Sequence, residues 1–355
     1  MEKFFKNKTV LVTGHTGFKG SWISKILSKW NANVIGYSLE AETNPNLYDL
    51  LKLDESVTSV IGDVRNLKLL RKTFNEYSPE IVIHMAAQPI VRKSYENPVY
   101  TYETNVMGTV NVCECIRECE NVESFLNVTT DKVYENKDKN HSFSEDEKLD
   151  GYDPYSNSKS CSELVTHSYN NSFFKEQGIK CSTARAGNVI GGGDFAIDRI
   201  IPDCVRASIN NENIIIRNPH SIRPYQHVLE PLLLYLTIVQ KQYHNEKYAG
   251  YYNVGPDDVD CITTGEITDL YCKYYNKNND NPIKWINKSD NGPHEAALLK
   301  LNNQKIKDTF NWKPVWNIEK AVEKTVEWTK SYINNEDIIE CTTNQINEYL
   351  KQKGD

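Results

Sequence analysis

The chain has 355 residues, 39% of them hydrophobic and 25% charged, which suits one large globular α/β domain or one with a smaller lobe. A net charge of −7 gives a nucleic-acid surface no footing, and no apolar run approaches the roughly 20 residues of a membrane span. The nine scattered cysteines lack the Cys/His spacing of a zinc site and read as reduced thiols, so no metal is expected.

Residues 1–6 hold no apolar signal core and run straight toward a strand, which predicts a cytoplasmic protein. Residues 9–13, Thr-Val-Leu-Val-Thr, predict a buried strand. Gly14-His15-Thr16-Gly17-Phe18-Lys19-Gly20 follows and leads into a helical pattern over 21–27. Glycines let backbone amides approach a diphosphate, and a helix N-terminus offers free N–H groups with partial positive charge. The arrangement predicts nucleotide binding. Further strands are predicted over 33–37, 57–62, 81–85, 125–128 and 180–185. Helices are predicted from 67 to about 77 with Asn66 as cap, over about 101–119, and through 169 from a start that Pro154 and Ser156 suit, with no breaker from 158 on.

Strands alternating with helices for about 185 residues predict a doubly wound parallel sheet, α/β in class, of the Rossmann type. Ligands in such sheets sit beyond the carboxyl ends of the strands. The glycine turn, Ala86-Ala87, Thr130-Asp131 and Ala186-Gly187-Asn188 all fall on that edge. The predicted division is a nucleotide-binding domain over 1–188, with segments near 224–256 returning to it. A smaller substrate-binding lobe follows over 189–330, then a peripheral Asn- and Glu-rich tail over 331–355.

Asp153-Pro154-Tyr155-Ser156-Asn157-Ser158-Lys159 puts a phenol and an ammonium one helical turn apart on one face. A nearby cation stabilises phenolate, so Tyr155 is expected to titrate below its ordinary value of about 10 and act as a base. Asp63, after the third strand, reads either as an adenine contact or as a helix-entry turn. The end of the second strand, Tyr37-Ser38-Leu39-Glu40, holds neither an acid placed for a ribose 2′-hydroxyl nor an arginine for a 2′-phosphate. Thr130, Asp131 and Lys132 place two ionisable groups beside each other where β-strand residues meet Tyr155. Arg199, Arg217 and Arg223 are candidates for a diphosphate, because arginine grips phosphate oxygens in a fork.

The glycine turn resembles that of the extended short-chain dehydrogenase/reductases. Ala86-Ala87-Gln88-Pro89, Tyr102-x-x-Asn105-Val106-Met107-Gly108-Thr109, Thr130-Asp131-Lys132, Tyr155-x-x-x-Lys159 and the run 184–194 sharpen the likeness. With Ile216-Arg217-Asn218-Pro219, the run 223–231 and Pro293-His294-Glu295-Ala296, the chain resembles the CDP-glucose 4,6-dehydratases over roughly residues 10–320. Such an enzyme takes a hydride from C4 of a nucleotide hexose, eliminates water across C5 and C6, and returns the hydride to C6.

The resemblance implies NAD as cofactor and a nucleotide sugar as substrate. Tyr155 would be the base at the C4 hydroxyl, Lys159 would hold the nicotinamide ribose, Thr130 would bond the C4 oxygen, and Asp131 would be the acid at C6. Lys132 stands where most sugar-nucleotide dehydratases have a glutamate; it would be the C5 base or would orient Asp131 and stabilise the enolate. NAD would also contact Gly14, Thr16, Gly17, Phe18, Gly20, Asp63, Val64, Ala86, Ala87, Gln88, Asn105 and Thr129. The substrate would meet Gln88, Asn188, Arg199, Arg217, Arg223 and His227.

A homodimer through helix 101–119 and the Tyr155 helix is a further implication. Three departures bear on the sugar or base pocket: a polar loop over 137–150 in place of a longer Trp- and Gly-bearing one, Phe195 where tryptophan is frequent, and Tyr225 likewise. The alternatives are a dehydratase for a GDP- or other nucleotide sugar, a 4-epimerase, a C4 dehydrogenase, and a non-catalytic NAD-binding scaffold.

Overall fold

The structure, a computed structural model, describes residues 1–137, 140–279, 281–288 and 298–354. The Pro293-His294-Glu295-Ala296 motif lies outside the described residues. Seven parallel strands form the central sheet: β1 (Thr9–Thr13), β2 (Asn33–Ser38), β3 (Thr58–Ile61), β4 (Ile81–His84), β5 (Ser124–Thr130), β6 (Lys180–Ala186) and β7 (Tyr251–Val254). Their order is β7-β6-β5-β4-β1-β2-β3, the doubly wound arrangement that the alternating pattern predicts. The chain order reverses beside β1, next to the glycine turn.

Side chains alternate across the strands, so each run feeds two cores. Val10, Val12, Ile81, Ile83, Leu126 and Val128 join one cluster with α1 (Phe18–Lys29) and α6 (Leu229–His244). Leu11, Val82 and Phe125 join the other with α2 (Leu67–Tyr77) and α3 (Gly108–Glu118). Burying each such side chain stabilises the fold by about 1.5–3 kcal/mol. The two layers hold the strand ends in a fixed row.

Asn66 caps α2, accepting from the Leu69 N–H at 3.1 Å. The helix expected to start at Pro154 and Ser156 and to run through 169 does so. α4 (Pro154–Tyr169) is capped by the Asp153 side chain, which accepts from the Ser156 N–H at 3.0 Å, with Pro154 in the first turn. The helix expected over 101–119 is divided into Pro98–Tyr102, a π-helical turn over Glu103–Met107, and α3. The Asn105 side chain lies in that turn, donating to the Gln88 carbonyl at 3.0 Å and accepting from the Gln88 N–H at 2.8 Å. Such widened turns often mark places where a helix is adjusted to a site.

The lobe beyond β6 has its own core, in which α5 (Ile200–Asn210), α7 (Thr264–Asn276) and α8 (Ile318–Ile333) supply Ile201, Cys204, Ile267, Tyr271 and Val322. The tail differs from the expected peripheral segment. α9 (Ile338–Lys353) buries Ile338, Thr342, Gln345, Ile346 and Tyr349. The Tyr349 hydroxyl donates to Glu230 at 2.6 Å, and Trp316 donates to Gln352 at 2.7 Å. A buried stripe at helical spacing, apolar except for Thr342 and Gln345, is hidden there by asparagine and glutamate on the outer face. Among the described residues no helix is long and apolar enough to cross a membrane.

Candidate functional site

A cleft of about 920 Å³ opens along the carboxyl ends of β1, β4, β5 and β6 and is closed on the far side by the lobe. Gly14, at the end of β1, has φ +78°, and a Cβ there would come 2.9 Å from the Ala86 nitrogen. A Cβ on Gly20 would come 2.0 Å from the Gly14 carbonyl oxygen. These two glycines are demanded by the protein's own packing. Gly17 is different: it caps α1, is exposed, and its Cβ would meet nothing closer than 3.4 Å. Its missing side chain bares the N–H groups of the first helical turn to the cleft, a cradle suited to a diphosphate.

Thr16 and Phe18 line the cleft beside it, and Thr16 Oγ1 donates to the Leu39 carbonyl at 2.9 Å. Asp63 and Val64 line the same end. Arg65 holds the Asp63 carboxylate through both Nε and Nη2. Burial raises the Asp63 pKa, but the hydrogen bonds and charge of Arg65 outweigh it and leave the carboxyl below its ordinary range. Ala86, Ala87 and Thr129 continue the wall toward the centre.

Thr130, Asp131, Lys132, Tyr155 and Lys159 meet at that centre. Asp131 is 2% exposed; its Oδ1 accepts from Thr130 Oγ1 at 2.9 Å, and its Oδ2 is buried without a partner. Burial raises the Asp131 pKa, against the opposing pull of Lys132, the Thr130 bond and Arg223. The net shift is toward the protonated form, the direction that a proton donor needs.

Tyr155 does not show the acidic phenol expected from its lysine. Burial pushes it up to about 12, with the Asp131 charge adding to the rise, while a Thr130 hydrogen bond and Arg199 oppose. The reason is geometric: Lys159 Nζ is turned to the Val128 carbonyl at 3.2 Å. Lys159 is itself pulled down to about 7 by burial and by Lys19, with Glu163 opposing.

Asn188, Arg199, Arg217 and Arg223 also line the cleft, though the arginines are spread along it. Arg199 Nη1 meets Asp194 at 3.3 Å, and Arg217 Nη1 meets Asp198 at 2.5 Å. Arg223 is 5% exposed and its charge acts on Asp131, which places it at the reacting end. Gln88, Asn105 and His227 are not brought to the cleft. Gln88 and Asn105 bond each other, with Thr101 and Ser158 as further partners. His227 is fully buried between Trp22 and Trp316, because the backbone pairing of 226–227 with 189–190 turns its ring into the core.

Two cleft residues escaped the sequence reading. Lys19 is pulled down to about 8 by burial and by Arg199, against Asp131 and Asp194, and its charge bears on Lys159. Its signal was present: it is the one lysine or arginine inside the Gly14–Gly20 turn. Asp194, 4% exposed, gave no pattern beyond the glycines before it. Among the described residues no three His, Cys, Asp or Glu side chains group as a metal site.

Residues 11–325 match the family described as GDP-mannose 4,6 dehydratase. A CDP-glucose 4,6-dehydratase of Salmonella typhimurium is 44% identical over 355 residues, covering 98% of both chains. A solved dTDP-glucose 4,6-dehydratase from Bacillus anthracis, in complex with NAD, superposes with TM-score 0.75 at 22% identity, covering 94% of this chain and 99% of that one. A UDP-glucose 4-epimerase from Thermotoga maritima, with UDP-glucose, gives 0.77 at 20% identity, covering 92% and 99%. The chain belongs to the GDP-mannose 4,6-dehydratase family, within the extended short-chain dehydrogenase/reductases.

Proposed function

We propose that this chain is a nucleotide-sugar 4,6-dehydratase that uses NAD and converts CDP-glucose to CDP-4-keto-6-deoxyglucose. The observation that carries the dehydratase reading is Asp131, a buried carboxyl that lines the cleft with Tyr155 and Thr130 and keeps one oxygen without a hydrogen-bond partner. A 4-epimerase has no leaving hydroxyl and no use for such an acid. The choice of CDP-glucose rests on the Salmonella relative, whose likeness runs the length of both chains.

The residues fit a dinucleotide. The bare helix N-terminus at Gly17 suits a diphosphate, and the cleft extends from Asp63 past Thr129 to Lys159. Gly14, Thr16, Gly17 and Phe18 would hold the diphosphate, Asp63 and Val64 the adenine, and Ala86, Ala87 and Lys159 the nicotinamide ribose side. NAD, when bound, supplies a hydride acceptor and donor, so that the sugar can be oxidised at C4 and reduced at C6 within one turnover. The choice of NAD over its 2′-phosphorylated form rests on the solved Bacillus anthracis relative, which holds NAD.

Tyr155 Oη, as the phenolate, takes the proton of the C4 hydroxyl, with Thr130 Oγ1 bonding the same oxygen. Burial opposes that ionised form, and the positive charge that bound NAD would bring to the nicotinamide side favours it. Asp131 gives its carboxyl proton to the departing C6 hydroxyl. Lys132 stands next to it, either taking the C5 proton or steadying the negative charge left behind. Arg199 and Arg217 hold the diphosphate of the substrate, with Asn188 beside them. Residues 1–188 and β7 thus serve NAD, and 189–330 mainly the sugar nucleotide.

We extend the reading to a cytoplasmic homodimer. Val99, Met107 and Leu164 are 66%, 51% and 53% exposed on the helical segments that would pair. Light scattering on the purified chain reads the dimer. The activity test incubates the chain and NAD with CDP-, dTDP-, UDP- and GDP-hexoses and follows the alkali-induced absorbance of a 4-keto product. CDP-glucose is expected to turn over fastest; no product from any of them refutes the function, and a faster dTDP-, UDP- or GDP-sugar refutes the substrate.

A further inference from the structure

Helix α4 carries Tyr155, Lys159 and Glu163 on one face, one turn apart. Three consecutive residues of β5 meet them. Lys159 Nζ donates to the Val128 carbonyl at 3.2 Å, Thr129 Oγ1 donates to Glu163 Oε1 at 2.5 Å, and Thr130 lies against the Tyr155 phenol, opposing the rise in its pKa. Glu163 is fully buried and does not line the cleft. Its Oε2 accepts from Thr183 Oγ1 at 2.7 Å and from Arg185 Nη2 at 2.9 Å, both on β6. Arg185 in turn donates to the Tyr134 hydroxyl and the Glu145 carbonyl, each at 2.8 Å. One carboxylate therefore ties α4 to two neighbouring strands immediately beneath the cleft.

We propose that Glu163 is a positioning residue that sets the height of α4 against the ends of β5 and β6 and so holds Tyr155 and Lys159 in register with the cleft. The proposal rests on the roles assigned above to Tyr155 and Lys159. A buried ion pair such as Glu163–Arg185 adds little stability over a well-packed apolar pair, and its better-attested use is to select one geometry. Here the selected geometry is a helix register. A slip of α4 along β5 would break the Thr129 bond together with that of Val128 and part Thr130 from Tyr155, so the three contacts stand or fall as a set.

The charge of Glu163 has a second effect. It favours the ammonium form of Lys159, against burial and the charge of Lys19 from the glycine turn. The other charged or titratable groups facing Glu163 are Arg185, Tyr134, Cys181 and Tyr251 from the sheet side and His167, 3.5 Å away on α4 itself.

Two threonines give the test a matched pair. Thr129→Val and Thr183→Val each remove one hydroxyl from the same carboxylate, but only Thr129 lies between Val128 and Thr130. Thr129→Val is expected to lower kcat about tenfold with the nucleotide-sugar KM held within about twofold. Thr183→Val is expected to lower the melting temperature similarly while kcat stays within about twofold of wild type. Glu163→Gln keeps the shape and removes the charge; the alkaline limb of its kcat profile is expected to move down by about one pH unit, with partial return in Glu163→Asp.

Equal kcat losses in the two threonine variants, or none in either, would overturn the proposal, as would an unmoved limb in a folded Glu163→Gln. If Glu163→Gln does not fold, the threonine pair decides. A wild-type chain inactive on every nucleotide sugar refutes the function instead. NAD affinity by fluorescence quenching then reads positioning through Glu163, which does not line the cleft: about threefold weaker in Glu163→Asp and unchanged in Thr183→Val supports it, and equal affinities overturn it.

Discussion

Replacing Asp131 by asparagine separates the acid from the fold. Asparagine keeps the shape and an oxygen for the Thr130 hydroxyl, which now bonds Asp131 Oδ1 at 2.9 Å. It removes the ionisable group whose pKa burial raises, against Lys132, Thr130 and Arg223. An acid raised on folding adds stability that is complete below its ordinary 3.8 and is lost as pH rises through the folded value. Each unit of that rise costs the wild type about 1.4 kcal/mol at neutral pH. Asp131→Asn is therefore expected to melt at or above the wild-type temperature near pH 7, with the advantage vanishing toward about pH 4. Its turnover is expected to fall by about 10²–10⁴, the range for losing one general acid, or about 3–5 kcal/mol in the barrier. Product formation is read by alkali-induced absorbance, and stability by thermal melts across pH. Turnover within about threefold of wild type would refute the acid, and a variant less stable at neutral pH than wild type would refute the burial argument.

Lys159→Met tests the opposite sign: a lysine pulled down to about 7 loses stability as pH falls from its ordinary 10.5 through 7. Relative to wild type, the Met variant should gain as pH drops through that window, by at most about 5 kcal/mol, as read by thermal melts. Lys132→Arg keeps the charge and cannot serve as a base, whereas Lys132→Met removes both. Retained turnover in the arginine variant alone assigns Lys132 to charge stabilisation, and loss in both assigns it to the C5 proton. Gly20→Ala drives a Cβ to 2.0 Å from the Gly14 carbonyl and should cost about 1–3 kcal/mol or more by denaturant unfolding. Gly17→Ala, with 3.4 Å of room, should fold and instead weaken NAD binding. Tyr349→Phe leaves buried Glu230 without its 2.6 Å partner and should lower stability by about 1–3 kcal/mol, a loss that a peripheral tail would not show.

The sheet was legible because its strands are buried on both sides and so stand out as short β-branched runs between helical patterns. Asn66 and the Pro154 turn announced their helices by local chemistry that no tertiary contact overrides. The π-helical turn at 103–107 had no such sign, since it arises where Asn105 reaches across to the Gln88 backbone, a contact distant in sequence. α9 was hidden by composition: its buried face is mixed apolar and polar, and Gln345 is satisfied inside by the Lys324 carbonyl at 2.9 Å.

At the site, the sequence showed which residues meet but not the sense in which they act on one another. Tyr155 and Lys159 share a helix face as their spacing requires, yet spacing says nothing of where an amine points. Val128 offers its carbonyl at 3.2 Å, and the phenol is left with burial as its largest influence. His227 fails for a related reason. A histidine in a motif can serve the motif by filling the core, and two tryptophans and a lone backbone N–H account for most of its surroundings. Lys19 is the converse, a charge that a glycine pattern trains the eye to skip. What burial does to an ionisable group depends on every neighbour within a few ångströms, and those neighbours come from β1, β4, β5, β6 and the lobe together. A chain read one segment at a time can place the groups on one edge; their protonation is a property of the assembled cleft.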